Sequence, residues 1–249
     1  GKIIAGSATY IALATSFFDV ESAIVSIVGR DFPQDYLKKL SNRNINLEGV
    51  EIDNSGDTFY WKGRYHKNLN RRDTLVTDLN TLANFNPIVP DRFKDAEVAL
   101  LGNLHPRIQL SVLDQINPDK TTIILDTMNY WIEGTWDELV QVVAKTDVIT
   151  INDEEALQMT NATNVLSAAK KISNMGPSYV IIKKGEHGAL LYHKEQTFLA
   201  PAVVLDNVVD PTGAGDSFAG GLAGFLASQP KHDFETMKTA MVYGSSVAS

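Results

Sequence analysis

Residues 210–218, Asp210-Pro211-Thr212-Gly213-Ala214-Gly215-Asp216-Ser217-Phe218, carry the densest chemical signal in the chain. Glycines let successive backbone N–H groups point the same way, and a helix that begins there adds the positive end of its dipole. Such a run builds an anion hole. Asp216, a carboxylate on the first turn, is then suited to take the proton of an attacking hydroxyl while the hole stabilises charge on a phosphoryl group in transfer. The alternative is a plain loop-to-helix junction with Asp216 as its N-cap. The length of the run, and the small apolar segment Ala219-Gly220-Gly221-Leu222-Ala223-Gly224-Phe225 behind it, favour the anion hole.

A base of this kind needs a rigid frame. Apolar runs at 23–28, 98–101, 122–125, 148–151 and 179–182 read as strands of a parallel sheet buried on both faces. Segments 8–18, 137–144, 166–175 and 215–227 have helical composition, so the order is βαβα. The fold class that follows is α/β, a doubly wound, mostly parallel sheet with helices on both faces. Ligands in such folds sit at the carboxyl ends of the strands. The residues there are Asn103, Asp126, the Asn152-Asp153-Glu154-Glu155 run and Lys183-Lys184-Gly185. Taken singly each is an ordinary cap or loop residue; their shared placement makes them a set. One segment breaks the alternation. Runs at 58–65 and 74–79, separated by a polar stretch at 68–72, read as a hairpin outside the main sheet, with Phe59, Trp61 and Tyr65 on one face by period two. Such a hairpin serves either as packing for its own domain or as a small β lid or dimer contact.

Composition narrows the chemistry. A chain of 249 residues, 44% hydrophobic, suits one domain, 1–249, with a small appendage. The net charge of −8 and the lack of a basic block argue against nucleic acid as a partner. With no Cys, disulfides, Cys-ligated zinc and thiol nucleophiles are excluded. Neither a signal peptide nor an apolar run of about 20 residues is present, so no membrane association and a cytoplasmic location are expected. His66, His105, His187, His193 and His232 show no i, i+4 pairing. Gly-x-Ser-x-Gly and the Walker P-loop are missing, so a nucleotide would be bound without a P-loop. The chain opens at Gly1 without Met and stops at Ser249 inside a helical pattern, and so reads as truncated at both ends.

The Asp-Pro-Thr-Gly-Ala-Gly-Asp stretch at 210–216 resembles the second signature of the PfkB, or ribokinase-type, carbohydrate kinases. The resemblance implies Asp216 as catalytic base, Gly213, Ala214 and Gly215 as the anion hole, and ATP as co-substrate. Asn152-Asp153-Glu154-Glu155 is similar to the family's Asn-x-x-Glu motif, which implies that Asn152 and Glu155 organise Mg²⁺ and the phosphates, largely through water. Lys183, Gly185 and Gly188 resemble the nucleotide loop, although the family more often has Thr where Lys183 stands. Asp210 and Thr212 match positions that hold a monovalent cation, which brings in K⁺. Ala5-Gly6 replaces the Gly-Gly pair of the first signature, so only Gly6 transfers as a substrate contact; Asn103 and Asp126 complete the substrate set. The family's sugar-binding Asp lies upstream and is absent from the chain, and its cation and adenine sites draw on residues near and beyond 244–249. The implied activity is ATP-dependent phosphorylation of a sugar hydroxyl, with a nucleoside kinase as the runner-up. A catalytically silent ligand sensor is the remote alternative, since Asp216 and Glu155 are both present. Residues 58–79 correspond to the lid, through which a homodimer would pair.

Overall fold

The computed structural model describes residues 3–65 and 72–249. Helix α1 (Ser7–Thr15) leads into strand β1 (Ser22–Gly29), and α2 (Gln34–Ser41) carries the chain to β2 (Ile45–Asp53), which pairs parallel with β1. These two strands form a sheet of their own, so the 23–28 run does not join the central sheet as expected. Its partner β2 went unread because apolar and polar residues interleave along it (Ile45, Asn46, Leu47, Glu48), leaving a half-buried strand rather than a continuous apolar run.

The expected hairpin is present: β3 (Tyr60–Tyr65) and β4 (Arg72–Asp78) pair antiparallel, apart from the other sheets. Its register shifts between Lys62 and Gly63, where Leu75 of β4 is the extra residue, so the bulge lies on β4 and the alternation along β3 runs on without a gap. The Trp61 ring lies over Gly63, and its Nε1–H donates to Thr74 Oγ1 at 3.2 Å. The Tyr65 side chain and residues 66–71, which include most of the polar stretch at 68–72, lie outside the described residues. The base of the hairpin hangs from the carboxyl end of β1: Gly29 N–H donates to Thr58 Oγ1 at 2.9 Å and Thr58 N–H to Asp31 Oδ1 at 2.7 Å.

The central sheet follows in chain order. Strand β5 (Val98–Leu101) leads through α3 (Pro106–Leu113) to β6 (Thr122–Asp126), and α4 (Asn129–Gly134) and α5 (Trp136–Ala144) lead to β7 (Val148–Asn152). Helices α6 (Asp153–Thr160) and α7 (Val165–Ser173) precede β8 (Tyr179–Lys183), and β9 (Ala189–His193) and β10 (Gln196–Ala200) finish the sheet. Strands β5 to β8 run parallel, and β9 and β10 add antiparallel at the β8 edge. Last come α8 (Ala214–Ala227) and α9 (Phe234–Val247).

Side-chain alternation divides this sheet into two faces. Ile123, Leu125, Ile149, Ile151, Val180 and Ile182 pack with Leu139, Ala156 and Ile172 of α5, α6 and α7. Ile124, Val148 and Ile181 point the other way and pack with Leu222, Leu226 and Met237 of α8 and α9. Helix α8 is lined with glycine where neighbouring helices close on it: a Cβ on Gly220 would lie 2.5 Å from Ile11 O of α1, and one on Gly221 would lie 3.1 Å from Gly244 Cα of α9.

Candidate active site

The same alternation that buries Ile124, Val148 and Ile181 against α8 carries three polar residues two positions further along onto that face: Asp126, Thr150 and Lys183. Strand register then makes them neighbours, with Asp126 opposite Thr150 and Thr150 opposite Ile181. Lys183 Nζ donates to Asp126 Oδ1 at 2.8 Å, and Thr150 Oγ1 donates to the same oxygen at 3.0 Å. The ion pair is secluded, its side chains 17% and 9% exposed. Burial pulls the Lys183 pKa down, but Asp126, by charge and hydrogen bond, and the charges of Glu155 and Asp216 outweigh it, leaving the ammonium above its ordinary value. Lys183 and Asp126 are therefore in contact, and the charges of Glu155 and Asp216, from two further segments, act on the same ammonium.

Asp216 comes from the first turn of α8. The N-cap of that helix is Gly213, with φ of 84°, which makes Asp216 the third helical residue and corrects the alternative reading of it as N-cap. Gly213 has a second requirement, because a Cβ there would lie 2.6 Å from the ring of Tyr10. Tyr10 N–H in turn donates to Gly6 O at 3.2 Å, so Gly6 stands one turn of α1 away from the ring that covers Gly213. Gly6 itself has φ of 111° and open space where a Cβ would project. Ala214 N–H donates to Pro211 O at 3.1 Å, closing the turn. A Cβ on Gly215 would lie 3.3 Å from Lys183 Nζ, which puts the ammonium directly under this turn. Upstream, Thr212 N–H donates to Asp210 Oδ1 at 2.9 Å, and hydrogen bonds from Thr212 hold the Asp210 carboxyl below the usual range.

Asn152 and Glu155 form a reciprocal cap on α6. Glu155 N–H donates to Asn152 Oδ1 at 2.7 Å, and Asn152 N–H donates to Glu155 Oε2 at 3.2 Å. The Asn-x-x-Glu spacing is thus also that of a capping box, a helix-start signal that the motif carries independently of any phosphate. Gly185 and Gly188 sit in the β8–β9 turn, where Lys184 N–H donates to Gly188 O at 2.7 Å and Gly188 N–H to Gly185 O at 3.1 Å. Gly188 has φ of 82°, and a Cβ there would run into the Ala200 backbone. Asn103 stands after β5, accepting from Trp131 Nε1 at 2.8 Å, with Tyr130 edge-on to Trp131 at 4.8 Å. Gln109 links that strand end to the charged cluster, Nε2 donating to Gly102 O at 2.8 Å and lying 3.4 Å from Asp126 O. Thr150 and Tyr10 are the residues that strand-end reasoning passed over. Thr150 lies inside its strand, and Tyr10 contributes a ring rather than a donor.

The family profile described as pfkB family carbohydrate kinase matches residues 2–249. The chain belongs to that family. A cytidine kinase of Thermococcus kodakarensis is 30% identical over 229 residues, covering 90% of this chain and 81% of that protein. Among solved structures, the nucleoside kinase of Methanocaldococcus jannaschii superposes with a TM-score of 0.79 at 20% identity, covering 98% of this chain and 78% of that one. A fructokinase of Vibrio cholerae, solved with fructose, ADP and calcium ion, gives 0.80 at 18% identity, covering 98% and 83%. These likenesses confirm the ribokinase-type fold. As a member of the pfkB family, the chain is an ATP-dependent phosphotransferase acting on a hydroxyl of a sugar or nucleoside. Among the described residues no helix is long and apolar enough to cross a membrane.

Proposed function

We propose that this pfkB-family kinase phosphorylates a primary hydroxyl of a ribose-type acceptor, with Asp216 as the base. The observation that carries the reading is the meeting of Asp216, the glycine turn of α8 and the buried Lys183–Asp126 pair at one end of the sheet. Gly213, Ala214 and Gly215 form the anion hole, for which Ala214 N–H must turn from Pro211 O. Asn152, Lys183, Gly185 and Gly188 lie along the nucleotide; Gly6, Asn103 and Asp126 face the acceptor, Asp126 through the oxygen that Lys183 and Thr150 do not occupy. A nucleoside is favoured over a free sugar by the likeness to the cytidine kinase and by the Tyr130–Trp131 rings beside Asn103, which offer a face for a base.

Asn152 and Glu155 suit a hydrated Mg²⁺. Among the described residues no group of three or more His, Cys, Asp or Glu could hold a metal, and Mg²⁺ prefers to keep waters and bind mainly through nucleotide phosphates. Asp210 and Thr212 are the K⁺ candidates. The hairpin acts as a lid over the acceptor, and its exposed apolar residues, Phe59 before β3 and Leu75 of β4, are where a second copy would pair. The whole chain works as one kinase domain. The test is acceptor-dependent ADP release over cytidine, other nucleosides, ribose and fructose, repeated with Asp216→Asn. With Asp216 as base, turnover falls about 10²–10⁴-fold while folding and ATP binding persist. A variant that turns over at the wild-type rate refutes the assignment.

A further inference from the structure

Lys183 is an expensive residue to bury, and a pair of neutral side chains would fill its place and that of Asp126 at lower cost. Its location is more unusual than its burial. The ammonium lies under the first turn of α8, 3.3 Å from where a Cβ of Gly215 would stand, and a helix N-terminus repels a cation. The two sources of positive potential are compatible when an anion lies between or beside them. The surrounding groups point the same way: Asp126, Glu155 and Asp216 all act on this one ammonium.

The geometry points to Lys183 as a catalytic residue of the phosphoryl transfer, donating from Nζ to an oxygen of the group in flight. Asp126 and Thr150 act as positioning residues: Asp126 Oδ1 accepts from Nζ at 2.8 Å and from Thr150 Oγ1 at 3.0 Å, which fixes the end of a flexible side chain. The inference rests on the kinase reading above. In the step itself the acceptor oxygen forms a bond to the terminal phosphorus of ATP as the bond from that phosphorus to the β-phosphate oxygen breaks. The bonding pair stays on the β-phosphate oxygen, and the hydroxyl proton passes to Asp216. Lys183 remains protonated from start to finish, because its neighbours hold its pKa up. It balances the charge that spreads over the phosphoryl oxygens, which the backbone amides of the glycine turn address from the other side.

Removing Lys183 alone strands a buried carboxylate, so the informative protein is the full chain with Lys183→Met and Asp126→Asn together, compared with Asp126→Asn alone. Two quantities are read. One is acceptor-dependent kcat and KM; the other is the preference, at equilibrium, for the β,γ-imido analogue of ATP over AMP. Relative to Asp126→Asn alone, the double variant is expected to lose about 10²–10³ in kcat, with KM for the acceptor changed much less, and about tenfold of its preference for the triphosphate. Asp126→Asn alone, which keeps the cation, should lose clearly less of both. A double variant with wild-type turnover or wild-type preference overturns the proposal, and so does an Asp126→Asn variant as impaired as the double. If the wild type phosphorylates none of the acceptors, the kinase reading fails at that point, while the analogue-to-AMP preference still decides whether Lys183 meets the terminal phosphate.

Discussion

Gly220→Ala tests the packing that sets the site. Residue 220 lies mid-way along α8 and faces α1, where its added Cβ would stand 2.5 Å from Ile11 O and 2.8 Å from the Ala14 Cβ. A carbon settles against a carbonyl oxygen at about 3.3 Å, so the two helices must part by roughly 0.8 Å. Overpacking of this kind costs about 1–3 kcal/mol, against about 0.5–1 kcal/mol regained by replacing a helical glycine. The balance runs from about 0 to 2.5 kcal/mol of loss and centres near about 1 kcal/mol, or roughly 2–4 °C in Tm for a chain of this size. Helix α1 also brings Tyr10 onto Gly213 and carries Gly6, so acceptor-dependent turnover should drop with the shift. Gly134→Ala is the control: nothing lies within 4 Å of its Cβ, and its backbone is not left-handed, so it should be neutral or slightly stabilising. Thermal unfolding and steady-state kinetics of both variants decide the matter. A Gly220→Ala protein as stable as Gly134→Ala would refute the claim that α1 and α8 are in close contact there.

Glu155→Gln should raise the Mg²⁺ concentration needed for half-maximal rate without unfolding the protein, since Gln still completes a capping box; an unchanged Mg²⁺ titration would count against the assignment. Equal rates in Na⁺, K⁺ and a bulky organic cation would remove Asp210 and Thr212 as a K⁺ site. Asn164, whose side chain accepts from Ser167 N–H at 2.9 Å, caps α7 away from the site, so Asn164→Ala should cost about 1 kcal/mol in denaturant unfolding and leave kcat alone. The Lys183 pKa is raised in the folded state above 10.5, so the stability its charge supplies is complete below that pH and is lost as pH rises through the folded value. Alkaline unfolding should therefore be less steep in the Lys183→Met, Asp126→Asn double variant than in the wild type, and identical alkaline limbs would contradict the raised value.

Local signals in the sequence determined a good deal. Apolar runs gave four of the central strands at 98–101, 122–125, 148–151 and 179–182 within a residue of where they lie, because a strand buried on both faces leaves a continuous apolar record. Helix α8 was readable from the glycine turn that starts it, and the hairpin from its paired β-rich runs. Strand β2 was not readable, since its interleaved polar residues erase that record. The alternation within each strand was also present in the sequence, and it alone puts Asp126, Thr150 and Lys183 on the face of their strands that α8 covers. Only the tertiary structure decided that they meet. Their contact depends on register, Asp126 opposite Thr150 and Asn152 opposite Lys183, between segments 24 to 57 residues apart. Register is a cooperative result of packing both faces of the sheet at once, so no window of the chain contains it. The same holds for Gly215 over Lys183 and Tyr10 over Gly213, contacts set by how closely glycine lets α8 approach its neighbours.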